Sequence, residues 1–308
     1  MIVYRYKKIS VLFVLFAIVY LAQSILISPD QATLDKYDIS AGEAAWLSLT
    51  IAVPYIVIWF IALVGYLRLR AYVKPIKKSP DGAGFNMISK GIFWLALWLP
   101  ITAIISGMST HYYNANPATT NDLIIINNYL NIALLLPAFA LVYLGSKKLV
   151  SLVKVQQAWY SEKAILLYIS FAALYVYLVL QDPSRLTPTG SSDVATYYLE
   201  DWAIVLTLII PRLIMWFLGL QAVLNIYAYQ KKVKGEIYKQ ALTKLAWGIG
   251  GVVIAVIVLR CLQSLSSQLN DLGLGMLLIL LYILLIILSI GYVFIASGAK
   301  KLKRIEDS

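Results

Sequence analysis

One cysteine, one histidine and a small share of charge set the first limits on this chain of 308 residues. A lone cysteine, Cys261, forms no internal disulfide and says nothing about redox compartment. A lone histidine, His111, excludes internal bis-histidine haem ligation and a three-histidine zinc site, and one thiol does not make up the missing ligands. Charged residues are 13% of the chain and hydrophobic ones 61%, whereas a soluble domain is about a quarter charged and about half apolar. The acids fall between the apolar runs rather than paired within them, so neither a proton-relay carboxylate nor a two-acid metal–diphosphate pattern is visible. P-loop and GxSxG signatures are absent. SPDGAGF at 79–85 reads as a turn. Nothing in the residues calls for a cofactor or a metal.

What is present is apolar length. Mean hydropathy is +0.78, and apolar runs recur that suffice to cross about 30 Å of hydrocarbon as helices. Eight spans are predicted, near Ile9–Ile27, Trp46–Leu67, Gly91–Met108, Leu123–Gly145, Ala164–Leu180, Trp202–Tyr229, Leu245–Leu262 and Gly273–Ser297. A β-barrel would show short alternating segments instead. The basic start before the first span resembles a signal peptide. A counterpart in the second half argues for retaining it as a span.

The net charge of +11 becomes informative once mapped. Of 26 Lys and Arg, 22 lie before the first span, between spans two and three, four and five, or six and seven, or after the eighth. The other connections hold only Lys36 and Arg185. Basic residues near span ends stay cytoplasmic, so both termini are expected inside, in the plasma membrane. The charge therefore reads as topology and as contact with the bilayer's anionic lipid headgroups, not as a nucleic-acid footprint.

The chain also repeats itself. TIAVPYIVIWFIAL (50–63) and TLIIPRLIMWFLGL (207–220) share Thr, Pro, Trp-Phe and Leu at an offset of 157. Val19-Tyr20-Leu21 meets Val176-Tyr177-Leu178 at the same offset. Ser89-Lys90 meets Thr243-Lys244 at 154, and GSKKL (145–149) meets GAKKL (298–302) at 153. The expected fold is therefore an all-α polytopic membrane protein of eight transmembrane helices. They form two parallel tandem four-helix repeats, residues 1–155 and 156–308. An even number of spans per unit gives both copies one orientation, related by an axis along the membrane normal.

Candidate functional residues are those that hydrocarbon makes expensive. Arg212 follows Pro211 deep in span six, opposite an uncharged Tyr55 in the repeat. Arg260 lies near the end of span seven, where snorkelling to the outer interface is the expected behaviour. Asn127 and Asn131 share a face of span four, and Gln221 and Asn225 a face of span six. Interhelical amide bonding is the plain reading of these four, and a polar path the functional one. Residues 212 and 221 are half a turn out of phase at about 100° per residue, so one path need not include both. Pro54 and Pro211, with Trp59 and Trp216 below them, predict a shared structural kink. Thr50 and Thr207 stand ready to satisfy disturbed backbone groups. The glycines of WGIGG (247–251) predict close helix packing.

Two function classes fit these features. One is a transporter or binding protein for a small anionic or lipid-like solute, with the arginines as its charge. The other is a non-catalytic membrane subunit, scaffold or assembly factor acting with a protein partner or as a homo-oligomer. Catalysis, with His111 in an outer loop as its base, is the third and weakest reading.

Overall fold

The computed structural model describes residues 7–26, 40–112, 117–153, 162–181, 203, 205–264 and 273–307. Among these the elements are helical. They are α1 (Lys7–Leu26), α2 (Ala41–Ile76), α3 (Pro80–Tyr112), α4 (Pro117–Ser151), α5 (Glu162–Gln181), a π-turn (Val205–Ile209), α6 (Ile210–Lys232), α7 (Glu236–Ser264) and α8 (Gly273–Asp307). Seven candidate spans are long and apolar enough to cross a membrane. In α5 the apolar stretch is shorter, Tyr168–Tyr177. Length and composition thus make the chain a multi-pass helical integral membrane protein.

Several helices outrun the spans read from hydropathy. α2 has 36 residues, or about 54 Å at 1.5 Å per residue, well beyond the hydrocarbon. An apolar window sees only the lipid-facing part, whereas backbone bonding continues as far as capping allows. At one end of α2, Ser40 and Glu43 form a capping box: Ser40 Oγ accepts from Glu43 N at 3.3 Å, and Glu43 Oε2 accepts from Ser40 N at 2.8 Å. At the other end a tight turn joins α2 to α3. Ser79 Oγ donates to the Ile76 carbonyl at 2.7 Å and accepts from Gly82 N at 3.0 Å. A Cβ on Gly82 would lie 1.7 Å from that carbonyl oxygen, so only glycine fits. The α6–α7 turn uses Gly235 at φ +92°. Both hairpins sit at the lysine-rich end. α3 likewise continues through His111, which therefore lies in a helix and not in the predicted loop.

Helix pairing follows the small residues. α3 packs on α4, and α7 on α8. A Cβ on Gly91 would stand 2.6 Å from the Ala138 carbonyl, and one on Gly248 2.7 Å from the Gly291 carbonyl. Gly145 approaches Gly84 and Ile88 as Gly298 approaches Ala241 and Leu245. Backbones this close explain the glycines, Gly248 and Gly251 of WGIGG included. The remaining large interfaces join α2 to α8 and α6 to α4. α1 packs on α2 and α3, and α5 touches α7. The outward faces of α1 and α5, such as Leu15, Ile18, Leu166 and Ile169, are exposed and apolar, as lipid contact requires.

The two prolines are accommodated differently. α2 runs without interruption through Pro54. Pro211 opens α6 immediately after the π-turn, whose wider ring relieves the missing donor. Thr50 Oγ1 donates to the Leu47 carbonyl at 2.8 Å and Thr207 Oγ1 to the Ala203 carbonyl at 2.6 Å, each about one turn before the carbonyl that its proline leaves without a donor. Both hydroxyls are then reached from across the bundle. Tyr282 OH donates to Thr50 Oγ1 at 2.6 Å, and Tyr129 OH lies 2.9 Å from Thr207 Oγ1. Trp59 and Trp216 are buried against tyrosine rings, Tyr20 at 5.0 Å and Tyr175 at 4.7 Å between centroids. Phe217 by contrast is exposed.

Candidate functional site

The site is assembled where α1, α2, α3, α4, α7 and α8 converge, away from the lysine-rich end. Its polarity starts at Trp98. An indole N–H only donates, so Trp98 Nε1, 2.5 Å from Asn131 Oδ1, fixes which way that amide faces. Asn131 Nδ2 must then point back along α4, to the Asn127 carbonyl at 2.6 Å and to Asn127 Oδ1 at 3.2 Å. Asn127 in turn has its oxygen engaged and its NH2 left to donate elsewhere. Three residues on two helices thus form a directed chain that ends in a donor.

Beside it lies a second cluster. Arg212 is 1% exposed and Arg260 4%, both deeply buried for guanidinium groups. Arg212 donates from Nη1 to Tyr175 OH and from Nη2 to Asn128 Oδ1, each at 2.8 Å. Arg260 Nη1 donates to the same Asn128 oxygen at 3.4 Å. Two positive groups therefore share one neutral acceptor. Their separation is less than the roughly 8 Å Debye length, and burial leaves little water or salt to screen them. Arg212 Nε has no partner within the described residues. Removing such charges from water costs several kcal/mol each unless something negative compensates.

A partly enclosed cavity of about 410 Å³ opens against this cluster. Arg260, Asn127 and Asn131 line it from α7 and α4; Tyr20, Gln23, Ser24, Trp98 and Thr102 line it from α1 and α3. No Asp or Glu lines it among the described residues. The volume is within the usual range for small-molecule sites, about 300–1,000 Å³.

The sequence candidates distribute as follows. Arg260, Asn127 and Asn131 meet at the cavity. Arg260 is buried, and its guanidinium turns inward to Asn128 where snorkelling outward was expected. Arg212 is not on the lining; its Nη1 and Nη2 donate to Tyr175 and Asn128, so it acts on the cavity through charge and position. Gln221 and Asn225 are elsewhere. Asn225 Nδ2 donates to Ser146 Oγ at 3.2 Å, joining α6 to α4, and Gln221 is half-buried outside the cavity. Pro54, Pro211, Trp59 and Trp216 shape the surrounding helices rather than line the space. Among acids of similar depth to the arginines along the chain, Asp122 is exposed. Glu200, Asp201 and Asp271 lie outside the described residues, as do Trp202, Lys36 and Arg185.

Asn128, Trp98, Tyr175 and Gln23 were the residues that sequence reasoning passed over. Asn128 sits in the same NNYLN run as Asn127 and Asn131, but spacing along a helix does not say which amide faces a charge on another helix. Comparison of the chain with protein-family models, with curated proteins and with solved structures gives no match.

Proposed function

We propose that the protein is a transporter or binding protein for a small anionic solute, held in the cavity beside Arg260. The observation that carries this reading is the pair of buried guanidiniums on one amide oxygen, at a cavity whose described lining has no carboxylate. An anion there would offset the positive charge of the two guanidiniums and accept from Arg260 and Asn127. Neutral and cationic solutes would not.

The architecture in this proposal is a tandem duplication, residues 1–155 and 156–308, with both termini at the cytoplasmic face of the plasma membrane. The close approaches of Gly91 to Ala138 and of Gly248 to Gly291 support it, as do the reciprocal Tyr282–Thr50 and Tyr129–Thr207 bonds. Those contacts favour an offset of 157 through α3 and α7, in place of the 154 suggested by Ser89-Lys90. Similarly, Tyr175 rather than Tyr177 takes the place of Tyr20 beside its tryptophan. With α2 on α8 and α6 on α4, the halves exchange partners about an axis along the membrane normal. The cavity then belongs mostly to the first half, with Arg260 reaching in from the second. Lysines at the opposite end would rest against anionic headgroups.

The test is thermal unfolding of the purified full-length protein with inorganic phosphate, acetate or sulfate, against choline and sodium at matched ionic strength. Saturable stabilisation by one of these anions is expected, absent in Arg260→Gln and partly kept in Arg260→Lys. Equal stabilisation of both variants and the wild type would remove the site from the function. Native mass spectrometry from the host membrane addresses the subunit reading, which a stoichiometric protein partner without any bound anion would favour.

A further inference from the structure

The α1 and α3 part of the lining has its own polarity. Ser24 Oγ donates its only proton to the Tyr20 carbonyl at 2.8 Å, and Thr102 Oγ1 donates to the Trp98 carbonyl at 2.8 Å. What these hydroxyls still offer the cavity is lone pairs. Gln23 Nε2 donates to the Ile104 carbonyl at 2.8 Å, and the buried Gln23 Oε1 has no partner among the described residues. Its amide is pressed against Gly107, where a Cβ would come within 2.5 Å of Nε2, so glycine is what lets it sit there. The α4–α7 side therefore donates through Arg260 and Asn127, whereas the α1–α3 side accepts through Ser24, Thr102 and Gln23. Tyr20 and Tyr55 hydroxyls, also on the lining, can do either.

A cavity given donors by α4 and α7 and acceptors by α1 and α3 selects a ligand that carries both an anionic acceptor and O–H donors. We propose that it takes a hydroxylated oxyanion, with a carboxylate or phosphate toward Arg260 and Asn127 and hydroxyl groups toward Ser24, Thr102 and Gln23. The proposal rests on the anion reading above and adds the second recognition element. The acceptors are neutral and the described lining carries no acid, so O–H donors suit them better than an ammonium group would. A plain fatty carboxylate would leave those acceptors without donors, and a neutral polyol would bring no negative charge to the guanidinium. The chemistry is shared by a free sugar acid and by a phosphoglycerol lipid headgroup.

Three probes of similar size separate the terms: gluconate, hexanoate and sorbitol, titrated into the full-length protein in phosphatidylcholine nanodiscs. Gluconate is expected to bind at least tenfold more tightly than hexanoate, and sorbitol not to bind. In the near-isosteric Thr102→Val, Ser24→Ala variant the advantage of gluconate over hexanoate should fall to within about threefold, with hexanoate unchanged. If gluconate and hexanoate bind equally to the wild type, the hydroxyl recognition is refuted while the anion reading stands. If no anion binds, both fall. If the advantage of gluconate survives in the double variant, the acceptor wall is refuted. Repeating the titration in phosphatidylglycerol nanodiscs identifies the source. Loss of the gluconate signal by competition assigns the site to the headgroup, and an unchanged signal assigns it to the free solute.

Discussion

Replacing Asn128 by leucine should expose how far two buried charges depend on one amide. The oxygen accepts at 2.8 Å from Arg212 and at 3.4 Å from Arg260. A hydrogen bond to a charged group contributes about 1.5–3 kcal/mol. The short bond counts nearly in full and the long one only in part, so the expected loss is about 3 kcal/mol. An unfolding entropy of roughly 2.1 cal/mol/K per residue, over this chain length, puts that loss near 5 °C in the apparent melting temperature. The compensating change comes from the proposed duplication. Arg212 corresponds to Tyr55, and Asn128 to Leu281, a pair that coexists on the other side of the bundle. Arg212→Tyr together with Asn128→Leu copies that pair and removes the charge that the amide was satisfying. The double variant should therefore recover at least half of the loss. The assay is tryptophan fluorescence against temperature in detergent, at one scan rate and without added anion. Two results would refute the reasoning: a shift below 1 °C for Asn128→Leu, or a double variant no more stable than the single one.

Two shorter predictions concern packing and orientation. Gly91→Ala places a Cβ 2.6 Å from the Ala138 carbonyl and should cost about 1–3 kcal/mol. Gly250→Ala meets nothing nearer than 3.6 Å and should stabilise α7 by about 1 kcal/mol, both read from thermal unfolding. In a Cys261→Ser background, a cysteine at Lys78 should react with an impermeant thiol reagent only from the cytoplasmic side, and one at Ser40 only from the other. Labelling of both from one side would overturn the topology.

Much of the fold was legible because hydrophobic length is a one-dimensional signal. Seven spans needed only a count of apolar residues, and WGIGG announced a close helix contact before its partner was known. Helix ends were less legible. The apolar run ends near Leu67 while α2 continues to Ile76, and capping at Ser40 depends on a local box rather than on hydropathy. The site was legible by residue type and not by arrangement. Arg212, Arg260 and the asparagines stand out because burial is costly for them. Which arginine lines the cavity depends on helix rotation, and that depends on distant glycines such as Gly219, packed against Val253 and Phe139. Ser24 and Thr102 gave no signal at all, since a serine in a membrane helix ordinarily bonds to its own backbone. Their part in the site comes from what lies opposite them.

The reciprocal tyrosine–threonine bonds allow the duplication to be tested energetically rather than by alignment. In each, the threonine proton is already committed to its own helix, Thr50 to Leu47 and Thr207 to Ala203. The tyrosine must then be the donor in both, Tyr282 in one and Tyr129 in the other. Tyr→Phe leaves the threonine with its proton satisfied, so the cost is the bond itself and not a stranded donor. Interhelical hydrogen bonds in membrane proteins average about 0.6 kcal/mol and reach roughly 1.7. Tyr129→Phe and Tyr282→Phe should each fall in that range and agree within about 0.5 kcal/mol, because two copies of one interface are being cut at one point. The asymmetry introduced by Arg212 lies at another position, so it should not enter. A difference above 1 kcal/mol between the two variants, measured by the same thermal assay, would mean that the bonds are similar in geometry alone. The two halves would then have to be treated as unrelated interfaces.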